Sequence, residues 1–201
     1  MTTLFTPQNS ALLLIDHQIG TMQLIKNIDV EQAKRMSLVL ARMASILNIP
    51  VVMTSSQEDR VQGPLLAELK DILPDAFAAR VQREGIVNAW NDPAFKAAVE
   101  ATGRRNLIMA GVTTDVCLVF PAIDAVREGY QVQAVMDASG SPFVLSDDMA
   151  GRRMASAGVI LTATNTVMAE LAQDWSTPEG QQLIQLLFTE VLPVIAAQAD
   201  S

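Results

Sequence analysis

The only thiol in the 201-residue chain, Cys117, closes the segment Ala110-Gly111-Val112-Thr113-Thr114-Asp115-Val116-Cys117. An apolar run precedes this segment and helical spacing follows it, so Thr114 reads as an N-cap and Cys117 falls in a first helical turn. Unpaired backbone N–H groups there favour the thiolate, which is the nucleophilic form. Pro121 supplies no N–H to the carbonyl of Cys117, four residues earlier, so the helix is expected to kink or loosen at the Cys turn. The alternative for such a cysteine is a small buried apolar residue.

A nucleophilic cysteine needs a proton acceptor, and histidine is the usual one. The single histidine, His17, adjoins Asp16, and continued strand geometry would send the two side chains to opposite faces. Asp16 is the better base: it ends the apolar run Ala11–Ile15, where burial raises a carboxyl pKa toward neutrality. Gln18 shares its direction. A turn or cap role is the alternative for Asp16, and packing or hydrogen bonding is the reading for His17. Asp115 is expected to complement the helix N-terminus, where its charge also opposes a thiolate nearby.

One cysteine and one histidine exclude an internal disulfide framework and a zinc site built from several such ligands. Twenty-two acidic against 14 basic side chains leave a charge of −8, with no basic cluster to attract a phosphate backbone. Nucleic acid is not an expected partner. The first apolar run is too short for a secretory signal, and Leu183–Ala197 is interrupted by Gln185, Thr189, Glu190 and Pro193, so no bilayer span is expected. The default is a soluble cytoplasmic protein.

Five short apolar runs must position these residues: Ala11–Ile15, Pro50–Thr54, Asn106–Ala110, Val132–Met136 and Val159–Thr162. Runs apolar on both faces suit the strands of a covered parallel sheet. Val30–Leu47, Asp92–Ala101 and Thr114–Glu128 have helical spacing between them, and Pro93 suits a first helical turn. Alternating strands and helices define an α/β fold, whose ligand sites lie beyond the carboxyl ends of the strands. Asp16, Gln18, Ser55, Ser56, Glu58, the segment from Val112 to Cys117, and Asp137–Ser141 follow such ends. Neither a Gly-x-Gly-x-x-Gly nor a Gly-Lys-Ser/Thr phosphate loop occurs.

Leu14-Ile15-Asp16-His17-Gln18, Arg83-Glu84-Gly85-Ile86-Val87-Asn88-Ala89-Trp90, the Cys117 segment and Val135-Met136-Asp137-Ala138-Ser139-Gly140 together resemble the isochorismatase-like cysteine hydrolases. The order and spacing agree over roughly residues 8 to 175. Gly63-Pro64-Leu65, Asn-Ala-Trp and Asp-Ala-Ser-Gly look most like the YcaC-type subgroup, whose physiological substrate is not established. The resemblance implies a three-layer α/β/α, Rossmann-like fold with a six-stranded parallel sheet, no cofactor, and an Asp-Lys-Cys triad. Asp16 and Cys117 match two members; Arg83 stands where the wider family has lysine. Arg83 stays protonated, so it can hold Asp16 and balance charge without exchanging a proton. Arg80 is an alternative for that role, and a surface or subunit contact is an alternative for Arg83.

The resemblance also implies a cis peptide at Val112–Thr113 that turns the Thr113 amide to join the Cys117 amide in an oxyanion hole. Nicotinamidase metal ligands have no counterpart where His17 is the only histidine. Gln18, Asn88 and Trp90 are expected to shape the pocket, with plain core as the alternative for Trp90. The expected activity is hydrolysis of small amide-type (C–N) or related carbonyl compounds through a Cys117 thioester. The rival reading is a thiol sensor, a ligand-binding degenerate member or an oligomeric scaffold. Residues 1–176 form the expected domain and 177–201 a helical extension. Its stripe of Leu183, Ile184, Leu187, Phe188, Val191, Leu192 and Ile195 is expected to meet a neighbouring subunit of a homo-oligomer, an octamer among the sizes considered. The alternative is a helix that closes the chain's own core.

Overall fold

A computed structural model describes residues 4–193. Six strands, β1 (Ser10–Ile15), β2 (Val51–Ser56), β3 (Val81–Arg83), β4 (Asn106–Gly111), β5 (Gln131–Val135) and β6 (Ile160–Thr162), form one sheet in the order β3-β2-β1-β4-β5-β6. Every neighbouring pair is parallel. The helices are α1 (Ile19–Met22), α2 (Val30–Ile46), α3 (Ala67–Ile72), α4 (Pro74–Ala78), α5 (Pro93–Ala101), α6 (Val119–Arg127), α7 (Val144–Ser156), α8 (Thr164–Ala172) and α9 (Pro178–Leu186).

The strands' apolar runs are divided between two cores. Leu12 and Leu14 of β1 join the layer packed with Met36, Leu40 and Met43 of α2, whereas Ala11, Leu13 and Ile15 join the layer of Phe95, Ala122 and Met154 from α5, α6 and α7. This period-two division is why the runs are apolar throughout: both faces are covered. The expected three-layer architecture with six parallel strands is therefore the one observed.

Five of the six strands coincide with the apolar runs. β3 does not: it is a three-residue edge strand, Val-Gln-Arg, too short and too polar to stand out by hydropathy. In α5, Asp92 caps the first turn by accepting from the amides of Ala94 and Phe95, with Pro93 where its missing N–H costs little. The C-terminal stripe turns partly inward. Leu183 and Leu187 are buried in the same core as α2, so these two side chains close the chain's own core instead of awaiting a neighbour. Phe188 stays exposed, and Ile195 lies outside the described residues.

Successive strands run outward from β1 to β3 on one side and from β4 to β6 on the other. The order reverses between β1 and β4, and the crevice beyond their carboxyl ends is the favoured ligand position of an open α/β sheet. Asp16 follows β1 there, and the Cys117 segment follows β4.

Candidate active site

Asp16 leaves β1 in a left-handed conformation, φ 58°, uncommon for a residue with a side chain. Neighbouring groups hold it: its N–H donates to Thr54 at 2.9 Å, and its carbonyl accepts from the Gln18 amide at 2.7 Å and the Thr21 hydroxyl at 2.6 Å. Strand alternation thus ends at Asp16, yet the predicted separation from His17 holds. The His17 ring turns to the Ala138 carbonyl, Nε2 to O 2.9 Å, beside Ser37 of α2, while the Asp16 carboxylate enters the crevice.

Arg83, at the end of β3, meets that carboxylate. Its Nη2 donates to both Asp16 oxygens, Nε donates to Thr54 Oγ1 at 3.0 Å, and Nη1 donates to the Ile86 carbonyl and, at 3.5 Å, to that of Val87. Gly85, at φ 154°, lets the chain fold back so that these carbonyls reach the guanidinium. Asp16 and Arg83 are 2% and 3% exposed, so the ion pair is buried. Arg80 is engaged elsewhere, paired with Glu58 at 2.7 Å.

Cys117 lies in a π-helical turn, Thr114–Leu118, where the Leu118 amide donates to the Thr113 carbonyl five residues back. The loosening expected from Pro121 takes this form. Close packing supports the turn, since a Cβ on Gly111 would lie 3.2 Å from that of Leu118. Thr114 is not the cap its position suggested. Its hydroxyl accepts from the Gly140 amide at 2.7 Å and its amide donates to the Gly140 carbonyl at 2.8 Å, tying the turn to the loop after β5.

The Val112–Thr113 peptide is cis, as the resemblance implied. A backbone hydrogen bond from Thr113 reaches the Cys117 sulfur. The Cys117 amide donates to the Thr113 carbonyl at 2.7 Å, so of the two amides named for an oxyanion hole one is occupied within the turn.

Electrostatics reverse the expectation of a thiolate. Burial pushes the Cys117 thiol well above its ordinary value, and the charge of Asp16 pushes further; the Thr113 bond and Arg83 oppose them without winning. A helix N-terminus does too little here because the turn's amides are already paired. Asp16 is itself raised, by burial first, with Arg83 and its hydrogen bonds to Arg83 and Cys117 pulling down. A neutral thiol beside a carboxyl of raised pKa is the resting arrangement. Asp115, whose charge was expected to bear on the thiol, has a buried Oδ1 with no hydrogen-bond partner among the described residues.

A cavity of about 610 Å³ opens on Asp16, Arg83 and Cys117. Leu24, Val61, Ile86, Val87 and Val116 form its apolar wall, with Gln23, Ser56, Gln57 and Gln62 between them. Gln18 also lines it, but its side-chain amide is spent on backbone: Nε2 donates to the Ser56 and Gly63 carbonyls, and Oε1 accepts from the Ser56 amide at 2.8 Å. Asn88 and Trp90 stand outside the cavity. Asn88 accepts from the Trp90 amide at 3.0 Å and donates to Asp124 at 2.7 Å, and buried Trp90 packs edge-on against Tyr130 at 5.3 Å. Trp90 therefore follows its core alternative. The wall residues Leu24, Val61, Gln62 and Ile86 escaped sequence reading because loops brought together by tertiary contacts have no periodicity. Thr54, the partner of Arg83, lies inside an apolar strand and gave no local signal.

Among the described residues no cluster of three His, Cys, Asp or Glu gathers to hold a metal ion, and no helix is long and apolar enough to cross a membrane.

Residues 10–166 match the isochorismatase domain model, and the chain belongs to the isochorismatase family. Its similarity to one member extends over nearly the whole length: the probable hydrolase YcaC of Escherichia coli is 40% identical over 186 residues, 92% of this chain and 87% of that protein. The E. coli YcaC structure, described as an octameric hydrolase of unknown specificity, superposes with a TM-score of 0.89 at 38% identity, covering 95% of this chain and 92% of that one. YcaC from Pseudomonas aeruginosa, with hexane-2,5-diol and covalent acrylamide, gives 0.90 at 38% identity, covering 95% and 93%. The chain is accordingly a probable hydrolase of this family.

Proposed function

We propose that this protein hydrolyses small amide-type compounds, or related carbonyl compounds, through a thioester on Cys117. The observation that carries the reading is that Cys117, Asp16 and Arg83 open on one cavity beyond the carboxyl ends of β1 and β4, with burial raising the Asp16 carboxyl toward a proton acceptor's range. Asp16 takes the thiol proton as the sulfur attacks the carbonyl carbon, and the Thr113 amide faces the developing oxyanion. Collapse breaks the C–N bond, and the nitrogen leaves with the proton from Asp16. Water then gives a proton to Asp16 as its oxygen attacks the thioester. The acid departs, and the proton returns to sulfur. Arg83 remains charged throughout and keeps Asp16 in place.

The covalent acrylamide of the P. aeruginosa relative is an uncharged amide-bearing compound, in keeping with such a pocket. A peroxide-sensing cysteine works as a thiolate, so the raised thiol pKa counts against the sensor reading. Incubation with a panel of simple amides, followed by mass spectrometry of the quenched protein, tests the proposal. An acyl group on Cys117 together with released ammonia or amine is expected. Turnover retained by Cys117→Ala would refute the covalent route.

The assembly proposed is a homo-oligomer, with the octamer of E. coli YcaC as its pattern. Phe143, Val144, Leu145 and Met149, exposed together at the start of α7, are apolar surface that such an assembly would cover. Analytical ultracentrifugation of the full chain reads the state directly; a monomer would exclude the assembly.

A further inference from the structure

Among the described residues Arg83 is the only cationic side chain lining the cavity, and that side chain is 1% exposed. A guanidinium has five N–H groups. Nε donates to Thr54 Oγ1, Nη1 donates to the Ile86 carbonyl and, at 3.5 Å, toward that of Val87, and Nη2 donates to the Asp16 carboxylate. The remaining charged residue of the lining is Asp16, the partner in that pair, so among the described residues the cavity wall offers no free cation. The nearest exposed cation in sequence, Arg60, lies outside the lining and 3.7 Å from Asp59.

From this burial of the one lining guanidinium we infer that the site selects uncharged acyl groups, short aliphatic amides above all, and rejects substrates whose acyl part ends in a carboxylate. The inference rests on the amide-hydrolase reading and sharpens it to a substrate class. An anionic tail lying against Leu24, Ile86, Val87 and Val116 would give up part of its hydration to apolar surface, with no donor from Arg83 in return. An aliphatic tail loses nothing polar and buries its apolar surface on the same wall. Arg83 thereby acts on specificity by what it withholds: its fork is buried against Asp16 and the loop carbonyls and is not presented to a substrate carboxylate.

Two pairs of compounds of matched length test this. Butanamide is expected to exceed succinamate in kcat/KM by about 30-fold, the effect of a carboxylate only partly desolvated and left without a partner. Alkylation of Cys117 by iodoacetamide is expected to exceed that by iodoacetate by a similar factor, once each rate is divided by its rate with 2-mercaptoethanol. Val61→Lys, which puts an ammonium on the exposed rim, should bring that ratio toward one. Alkylation does not require turnover. If neither amide is hydrolysed, the amidase reading fails and the alkylation ratio alone decides the charge selection. Parity of the two reagents in the unaltered protein, or a preference for iodoacetate, overturns the inference while leaving the chemistry of Cys117 untouched.

Discussion

One nitrogen of Arg83, Nη2, spans both carboxylate oxygens of Asp16, and the pair is buried at the carboxyl end of the sheet where Cys117 also opens. The arrangement separates charge from proton transfer: the carboxylate moves the proton, and a guanidinium that cannot titrate holds the carboxylate.

Removing the cation should therefore cost stability as well as activity. Arg83→Met leaves Asp16 buried with Thr54 Oγ1 and two loop carbonyls losing their donor, and breaking a buried pair in this way costs about 3–5 kcal/mol. A chemical-denaturation midpoint should fall accordingly. Arg83→Lys should recover only part of the loss, because an ammonium has three donors where the fork supplies five. Equal midpoints for the Met variant and the unaltered protein would exclude the pair as a structural element.

The thiol should alkylate slowly at neutral pH, with a rate that keeps climbing above pH 9, because burial and then Asp16 raise its pKa above the ordinary thiol value. Asp16→Asn removes a nearby negative charge and the proton-accepting carboxylate, so the alkylation pKa should move down while amide turnover disappears. These opposite movements distinguish a general base from a merely structural carboxylate. An upward shift in the Asn variant would contradict the electrostatic account.

His17 should make stability acid-sensitive. Burial lowers its pKa from 6.5 to about 4, against a weaker rise from its bond to the Ala138 carbonyl. Between those values the unfolded chain binds the proton and the folded one does not, so stability is lost as pH falls from 6.5 toward 4. The loss reaches about 3 kcal/mol from this group. Asp16 tilts the other way, since a carboxyl raised by burial favours the folded state on acidification. The test is thus the difference between unaltered protein and His17→Gln: the pH slope of the denaturation midpoint over this window should flatten in the variant, and an unchanged slope would assign the acid sensitivity elsewhere.

Chemical identity was more legible in the sequence than environment. Cys117 and Asp16 stood out because nucleophile and base each follow a strand end and one cysteine with one histidine left few alternatives, whereas Arg83, in a strand with no hydropathy signal, came only from the resemblance. The core was legible for the same reason as the sheet, since a run apolar on both faces has one stable place. The thiol's pKa was not legible, because it depends on a π-turn whose amides are consumed and on a carboxylate 101 positions away in the chain. Asn88 and Trp90 sit in a recognisable motif yet serve a cap and the core; their motif marks where the chain turns after Arg83 and not what lines the cavity.

Pro121 connects the turn to the helix that follows it, and its replacement tests whether the π-turn is a functional compromise. Proline offers no N–H to the Cys117 carbonyl, so nothing draws residues 114–118 into regular α geometry. Pro121→Ala restores that donor in a residue of high helix propensity, and relief of an interior proline is worth up to about 3 kcal/mol. The variant should melt at a higher temperature. If the π-turn is what presents the sulfur to Asp16, α-helical tightening moves Cys117 away from that carboxyl, and amide turnover should fall while the protein becomes more stable, the trade expected where a site holds a less favourable backbone. A gain in stability with full turnover would show that the turn can tighten without disturbing the thiol. The role of Pro121 would then be confined to folding.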